Sequence, residues 1–218
     1  MNARSLRNKL DDIQTLTTLV NYVDIVAITE SWLYPQETNL FNLPNYSAHH
    51  SLRLVNNNDP SRGGGVVLFV KEGMNAIVIN NIQNKFNILL VKISKRSVSI
   101  HVILCYSPNF NTYFDLIQKL SLLIVSRVKM LCWATLTLIC YMMMPYLLST
   151  KCFFVSRGLN PLYDGIPNRV TDHSSSLIDH VFSNIRNECC HVGMFMRMVS
   201  ITELYCFIIR ERVLAIQF

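Results

Sequence analysis

Residues Val23–Leu33 read Val-Asp-Ile-Val-Ala-Ile-Thr-Glu-Ser-Trp-Leu, and the interpretation of the whole chain starts from this stretch. Ile25–Ile28 is a short uncharged run rich in β-branched residues, which predicts a buried strand. The run ends at Thr29-Glu30-Ser31, so a carboxylate follows directly after a core strand. In open α/β sheets this is the usual location of chemistry, and a carboxylate there can bind a hard cation such as Mg²⁺. The alternative is that Glu30 only caps the turn that follows.

Length and composition predict one domain over residues 1–218 with a full apolar core, because half of the 218 residues are hydrophobic. The net charge of +6 permits a phosphate-rich partner, but the basic residues are scattered along the chain. The cysteine count of 7 is odd, with no CxxC pair and no zinc-finger spacing. The N-terminus is polar and basic, without the apolar run of a secretory signal. These features predict an intracellular protein, nuclear or cytoplasmic, with reduced thiols.

Hydrophobic spacing predicts a mixed order in which helices alternate with runs of adjacent strands, and this order favours stacked α and β layers over a purely parallel sheet. The glycines of Ser61-Arg62-Gly63-Gly64-Gly65 precede a strand, not a helix, so they indicate a flexible turn and not a phosphate-binding P-loop. The predicted helices are Leu6–Val20 and Tyr113–Val125, and the further predicted strands are Val66–Val70, Phe86–Ile93, Ser97–Tyr106 and Ser174–Phe182.

The stretch Leu131–Leu148 is different in character, since it contains no charged residue over 18 positions. That length is at the threshold for a membrane span. Pro145 and Tyr146 lie inside the run and count against such a span.

Five short motifs occur in order along the chain and together resemble a known family. They are Asn2-Ala3-Arg4-Ser5-Leu6, Ile28-Thr29-Glu30-Ser31-Trp32-Leu33, Arg62-Gly63-Gly64-Gly65-Val66, Tyr106-Ser107-Pro108 and Leu177-Ile178-Asp179-His180-Val181-Phe182. The sequence is similar to the endonuclease domain of a non-LTR (LINE-type) retrotransposon, within the endonuclease/exonuclease/phosphatase family. The resemblance implies a DNase-like four-layer α/β sandwich, incomplete here because the family's first strand is missing. It also implies hydrolysis of a DNA phosphodiester with Mg²⁺ (or Mn²⁺).

The resemblance also implies roles for four residues. Asn2 would help to position the metal site and the phosphate, and Glu30 would bind the metal. Tyr106 would contact the scissile phosphate, or it is an ordinary tyrosine at the edge of the core. Asp179 would orient the catalytic base, or it is a salt-bridge partner at the end of a strand. His180 faces the opposite side of the strand from Asp179, which predicts a structural role.

Two motifs of the family are missing, a Gly-Asp-Phe-Asn motif after the Tyr-Pro strand and a Ser-Asp-His motif near the C-terminus. The His of the second motif is the family's general base. Codons formed by the third base of one codon and the first two of the next can encode Gly-Asp-Phe-Asn from Trp133 onward. The same shift after Ser200 permits Asp-His. We therefore expect frameshifts, with residues 130–153 and 201–218 out of frame.

The sequence thus predicts a degenerate retrotransposon-type DNA endonuclease domain that is inactive as written. Two alternatives remain open at this stage. One is a non-catalytic remnant that still binds nucleic acid through its basic surface. The other is a small membrane protein anchored by residues 131–148.

Overall fold

Two β-sheets lie face to face between outer layers of helices, so the chain forms the four-layer α/β sandwich that the resemblance predicts. The structure is a computed structural model. It describes residues 3, 5–19, 23–52, 63–108, 110–125, 128–136, 144–162, 169–171, 174–176, 179–185, 191–195 and 204–208.

The smaller sheet contains three antiparallel strands in the order β1-β3-β2: β1 (Ile25–Thr29), β2 (Tyr46–Ser51) and β3 (Val66–Lys71). The central strand reads Val-Val-Leu-Phe-Val-Lys, and its five apolar residues are all buried because both faces of the strand are covered. Helix α1 (Leu10–Leu19) packs on the outer face through Ile13. Short 3₁₀ helices at Leu6–Asn8 and Pro35–Leu40 flank this layer.

The larger sheet contains six strands: β4 (Asn75–Gln83), β5 (Asn87–Lys95), β6 (Val98–Ser107), β7 (Met130–Leu136), β8 (Asn160–Pro161) and β11 (Asp179–Ser183). Their order in the sheet is β4-β5-β6-β7-β11-β8. All neighbours are antiparallel except β6 and β7, which are parallel and are joined through a helix at Tyr113–Leu123. The remaining elements are α2 (Tyr113–Leu123), α3 (Met144–Val155), a 3₁₀ helix at Phe110–Thr112, and the pairs β9 (Arg169–Thr171) with β10 (Ser174–Ser176) and β12 (His191–Phe195) with β13 (Leu204–Ile208).

Side-chain alternation in β5 and β6 divides the core into two parts. Leu89, Val91 and Leu104 face the smaller sheet, whereas Ile88 and Ile103 face the helices. Since successive residues of a strand point to opposite faces, an uninterrupted apolar run is needed wherever both faces are covered. This explains why β5 and β6 were visible in the sequence as continuous apolar runs.

The structure corrects several sequence-based assignments. Ser174–Phe182 is not one strand: β10 and β11 belong to different sheets. The predicted helix from Leu6 begins as a 3₁₀ turn, and α1 starts at Leu10. Strands β2 and β4 and helix α3 were not predicted. Pattern reading missed β4 because Ile77, Val78 and Ile79 are followed by two asparagines instead of alternating with polar residues.

The uncharged stretch that resembled a membrane span is divided between two elements. Its first part is β7, in which Met130, Leu131, Cys132 and Ala134 are buried in the sheet. Its last part belongs to α3, and residues 137–143 lie outside the described residues. In the described portion of the chain, no helix is long and apolar enough to cross a membrane.

Candidate active site

The turn that carries Glu30 has an unusual backbone. Glu30 and Trp32 both have positive φ values, 55° and 57°. Such conformations are uncommon for residues with a side chain and store of order 1–3 kcal/mol each. Surrounding hydrogen bonds must therefore hold the turn, and backbone strain of this kind is typical of functional sites.

Two other segments of the chain hold this turn from opposite sides. On one side, the amides of Ala3, Ser5 and Leu6 donate to the carbonyls of Thr29, Glu30 and Ser31, each at 2.9 Å. On the other side, the amides of Ser31 and Trp32 donate to the carbonyls of Gly65 and Gly64, each at 3.1 Å. The turn is thus clamped between the N-terminal segment and the glycine segment (Gly63–Gly65). Asn2 directly precedes Ala3 but lies outside the described residues.

Glu30 itself is partly buried at the end of β1. Beside it, Ser31 is fully buried, and two buried atoms of the turn, Ser31 Oγ and Trp32 Nε1, have no hydrogen-bond partner among the described residues. Buried polar groups of this kind are usually satisfied by ordered water or a ligand.

Tyr106 reaches the same region from the larger sheet. It lies near the end of β6 and is 6% exposed. Its hydroxyl lies beside Gly63, because a side chain added at that glycine would place its Cβ 3.2 Å from Tyr106 Oη. Because the same glycine segment holds the Glu30 turn, Tyr106 and Glu30 flank one short stretch of backbone.

Asp179 joins this group through the register of the larger sheet. Tyr106 is the partner of Thr135 across β6 and β7, and Thr135 is the partner of Asp179 across β7 and β11. The backbone of residue 179 is therefore two strands, about 9.6 Å, from that of Tyr106.

His180 occupies the other face of β11, in agreement with the sequence prediction. It is 8% exposed, and its ring lies 6.2 Å from that of Phe182 at an interplanar angle of 18°. Phe182 belongs to the part of the core that faces the helices. His180 is therefore directed away from Glu30 and Tyr106.

Sequence reasoning missed Asn87, which links the two sheets at this end. Asn87 is 3% exposed, and its Oδ1 accepts a hydrogen bond of 3.0 Å from the Gly65 amide. It is also the register partner of Tyr106 across β5 and β6. The available signal was a lone amide at the start of the apolar run Asn-Ile-Leu-Leu-Val, since a buried polar side chain requires a partner.

The described residues contain few side chains that could bind a metal ion together with Glu30. No group of three or more His, Cys, Asp or Glu side chains that could hold a metal ion occurs in the part of the chain that the structure describes. Glu30 fits the oxygen chemistry that Mg²⁺ prefers. The described residues do not complete its donor set.

Burial shifts the pKa values of two other titratable groups. Desolvation, with a smaller effect of neighbouring His49, lowers the pKa of His50 on β2 to about 4. Burial, with a contribution from Cys105, raises the pKa of the Cys132 thiol in β7. These pKa shifts predict a neutral imidazole and a protonated thiol at pH 7.

Solved structures with this fold are endonuclease/exonuclease/phosphatase proteins, and the fold of the chain is theirs. The endonuclease domain of TRAS1, a telomere-specific non-LTR retrotransposon, matches with a TM-score of 0.67 and 14% identity over 96% of both chains. A humanized D. rerio TDP2 matches with a TM-score of 0.63 and 9% identity, over 95% of this chain and 96% of that one. A family protein from Leptotrichia buccalis gives 0.62 and 12%, over 96% and 97%.

A further structure, D. rerio TDP2 complexed with a single strand DNA product, matches with a TM-score of 0.54 and 9% identity over 93% and 92% of the two chains. The sequence itself matches no protein-family model and no curated protein. At these identities the similarity establishes the fold.

Proposed function

We propose that the chain is a degenerate DNA endonuclease domain of the retrotransposon type. Its intact form would hydrolyse a DNA phosphodiester with the help of Mg²⁺ or Mn²⁺. The observation that carries the proposal is the gathering of Glu30, Tyr106 and position 179 at one end of the two facing sheets. Asn2 is proposed for the same end, since Ala3 is bonded to Thr29.

The proposed roles follow the chemistry of these side chains. Glu30 would hold the metal ion, which supplies neutralisation of the charge that develops on the phosphate. The hydroxyl of Tyr106 would contact the scissile phosphate, and Asp179 would orient the general base. Because the family's Gly-Asp-Phe-Asn and Ser-Asp-His motifs are absent from the sequence, we expect no significant hydrolysis.

The register of the larger sheet supports the frameshift hypothesis independently. In the shifted frame the Asp of Gly-Asp-Phe-Asn is encoded by the last base of codon 134 and the first two bases of codon 135. Position 135 lies between Tyr106 and Asp179 in the strand register. The Asp of the missing Gly-Asp-Phe-Asn motif therefore corresponds to position 135, between Tyr106 and Asp179. If the motif arose in the shifted frame by chance, its Asp would have no reason to fall at that position.

A nicking assay on supercoiled plasmid at neutral pH with Mg²⁺ tests the proposed inactivity. The wild-type chain and Glu30→Gln should both leave the plasmid supercoiled. Nicking by the wild type that Glu30→Gln abolishes would show an active endonuclease and would refute the loss of activity.

Sequencing the genomic locus and its transcript across codons 125–210 tests the origin of the degeneracy. We expect Gly-Asp-Phe-Asn and Ser-Asp-His in the shifted frame. If the transcript restores that frame, the encoded protein is an intact endonuclease. If neither frame encodes the motifs, the frameshift hypothesis is wrong.

Retained DNA binding is the second candidate function, and the net charge of +6 favours it. A gel-shift titration should then give an affinity that falls steeply with salt, since phosphate contacts release counterions. Both candidates imply an intracellular location, nuclear or cytoplasmic. A membrane anchor is not proposed, because residues 130–136 form a strand within the larger sheet.

A further inference from the structure

Asn87 makes contacts to two segments that converge at the candidate site. Its Oδ1 accepts the Gly65 amide at 3.0 Å. Its Nδ2 donates to the Leu52 carbonyl at 2.8 Å and approaches Ser51 Oγ and the Ser51 carbonyl at 3.3 and 3.4 Å. One buried amide thus joins the end of β2 to the glycine segment.

The glycine segment needs such an anchor. Gly63, Gly64 and Gly65 have φ values of 131°, 83° and 77°, and they carry no side chains that could pack into a core. Glycine is also the residue with the greatest conformational freedom to lose on folding. Hydrogen bonds must therefore fix this backbone, and Asn87 supplies the side-chain contact to the Gly65 amide.

The glycine segment adjoins both proposed site residues. The Gly65 carbonyl accepts from the Ser31 amide, so Asn87 is two hydrogen bonds away from the turn of Glu30. Gly63 lies beside the hydroxyl of Tyr106, which is 3.2 Å from where an added Cβ would be, and Tyr106 is the register partner of Asn87. A displacement of the glycine segment would therefore change the separation of Glu30 and Tyr106.

We propose that Asn87 is a positioning residue, which fixes the glycine segment and thereby the relative placement of Glu30 and Tyr106. The roles of those two residues rest on the proposed function, but the coupling itself does not. A side-chain amide suits this position because its oxygen accepts from the Gly65 amide while its nitrogen donates to the Leu52 carbonyl. An apolar side chain would leave both backbone groups unsatisfied.

Amide hydrogen exchange on the full chain tests the coupling, with Asn184→Ala as a matched control for Asn87→Ala. Asn184 Oδ1 accepts the Met130 amide and its Nδ2 donates to the Val128 carbonyl, both at 2.7 Å. The two asparagines thus have the same hydrogen-bonding pattern, Asn87 at the start of β5 and Asn184 directly after β11. Met130 pairs five residues along β6 from Tyr106, about 17 Å from the site.

In Asn87→Ala the amides of Ser31 and Trp32 should exchange about tenfold faster than the loss of global stability accounts for. In Asn184→Ala these amides should follow global stability alone. Equal behaviour of the two variants would overturn the inference.

A measurement on the wild type covers the case in which Asn87→Ala does not fold. The amides of Gly65, Ser31 and Trp32 should exchange with one common opening free energy, because they belong to one hydrogen-bonded unit. Separate opening free energies for Gly65 and for Ser31 would overturn the coupling.

A Mn²⁺ titration of the same proteins distinguishes this inference from the proposed function. If Glu30→Gln and Asn87→Ala both bind Mn²⁺ more weakly than the wild type, and Asn184→Ala does not, the result would support the metal role of Glu30 and the positioning role of Asn87. If wild type and Glu30→Gln bind Mn²⁺ equally weakly, the proposed metal role of Glu30 fails, and the exchange data still decide the role of Asn87.

Discussion

Replacing Thr135 by aspartate should increase the affinity of the chain for Mn²⁺. Position 135 is the direct register partner of both Tyr106 and Asp179, about 4.8 Å from each along the sheet. A carboxylate there would add a second acidic group on the strands that converge near Glu30. We expect Mn²⁺ to bind about 10- to 100-fold more tightly, which corresponds to about 1.4–2.8 kcal/mol.

In the absence of metal, the same substitution should lower the stability of the fold. Two carboxylates at directly opposite positions of neighbouring strands repel each other, which should lower the stability of Thr135→Asp by about 1 kcal/mol. Mn²⁺ at 100 times its Kd would then contribute about 2.7 kcal/mol. For a chain of this size that is a rise in Tm of about 5–10 °C.

The change in Tm is measured by thermal unfolding with and without Mn²⁺. Mn²⁺ binding is measured directly from the free Mn²⁺ signal in electron paramagnetic resonance. Thr18→Asp is the control, because it adds the same charge on an exposed position of α1. The double variant Thr135→Asp/Glu30→Gln should lose the gain. A Tm shift equal to that of the control, or a gain that survives Glu30→Gln, would refute the arrangement of the site.

Three further predictions concern packing and pH. Gly63→Ala should destabilise the chain by about 1–2 kcal/mol more than Gly73→Ala in denaturant titrations, because both glycines have positive φ but, of the two, only Gly63 has a neighbouring atom within 4 Å of an added Cβ. Equal losses of stability in the two variants would contradict the closeness of Tyr106 to Gly63. The folded-state pKa of His50 lies below its unfolded value, so stability should fall as the pH falls from about 6.5 to about 4. His50→Gln should flatten that part of the pH–stability curve, and an unchanged slope would contradict the burial of His50. In a variant that retains only Cys132 and Cys152, a thiol reagent should modify exposed Cys152 rapidly and buried Cys132 only on unfolding; rapid modification of both would mean that β7 is not packed in the sheet.

Much of the fold followed from local patterns in the sequence. The apolar runs at Val66–Val70 and Phe86–Ile93 became buried strands because each is covered on both faces. The run after Met130 was harder to interpret, since an uncharged apolar stretch is compatible with a membrane span, a strand or a buried helix. Its neighbours in the sheet decide that the first part is β7.

The candidate site was only partly visible in the sequence. Glu30 could be singled out because a carboxylate follows a buried strand, and Tyr106 and Asp179 because of their motifs. Asn87 was missed because its partners Gly65 and Leu52 are 22 and 35 residues away in sequence. A local pattern contains no information on such contacts.

The sequence by itself determined that Glu30 lies at the end of a core strand and that the fold combines α and β layers, since both depend on hydrophobic periodicity within single elements. Only the tertiary structure decided that Tyr106, Thr135 and Asp179 share one row. That row depends on a parallel pairing of β6 with β7 and an antiparallel pairing of β7 with β11. Strand order and register arise from the packing of the whole sheet, because every strand must direct one face to each part of the core at once.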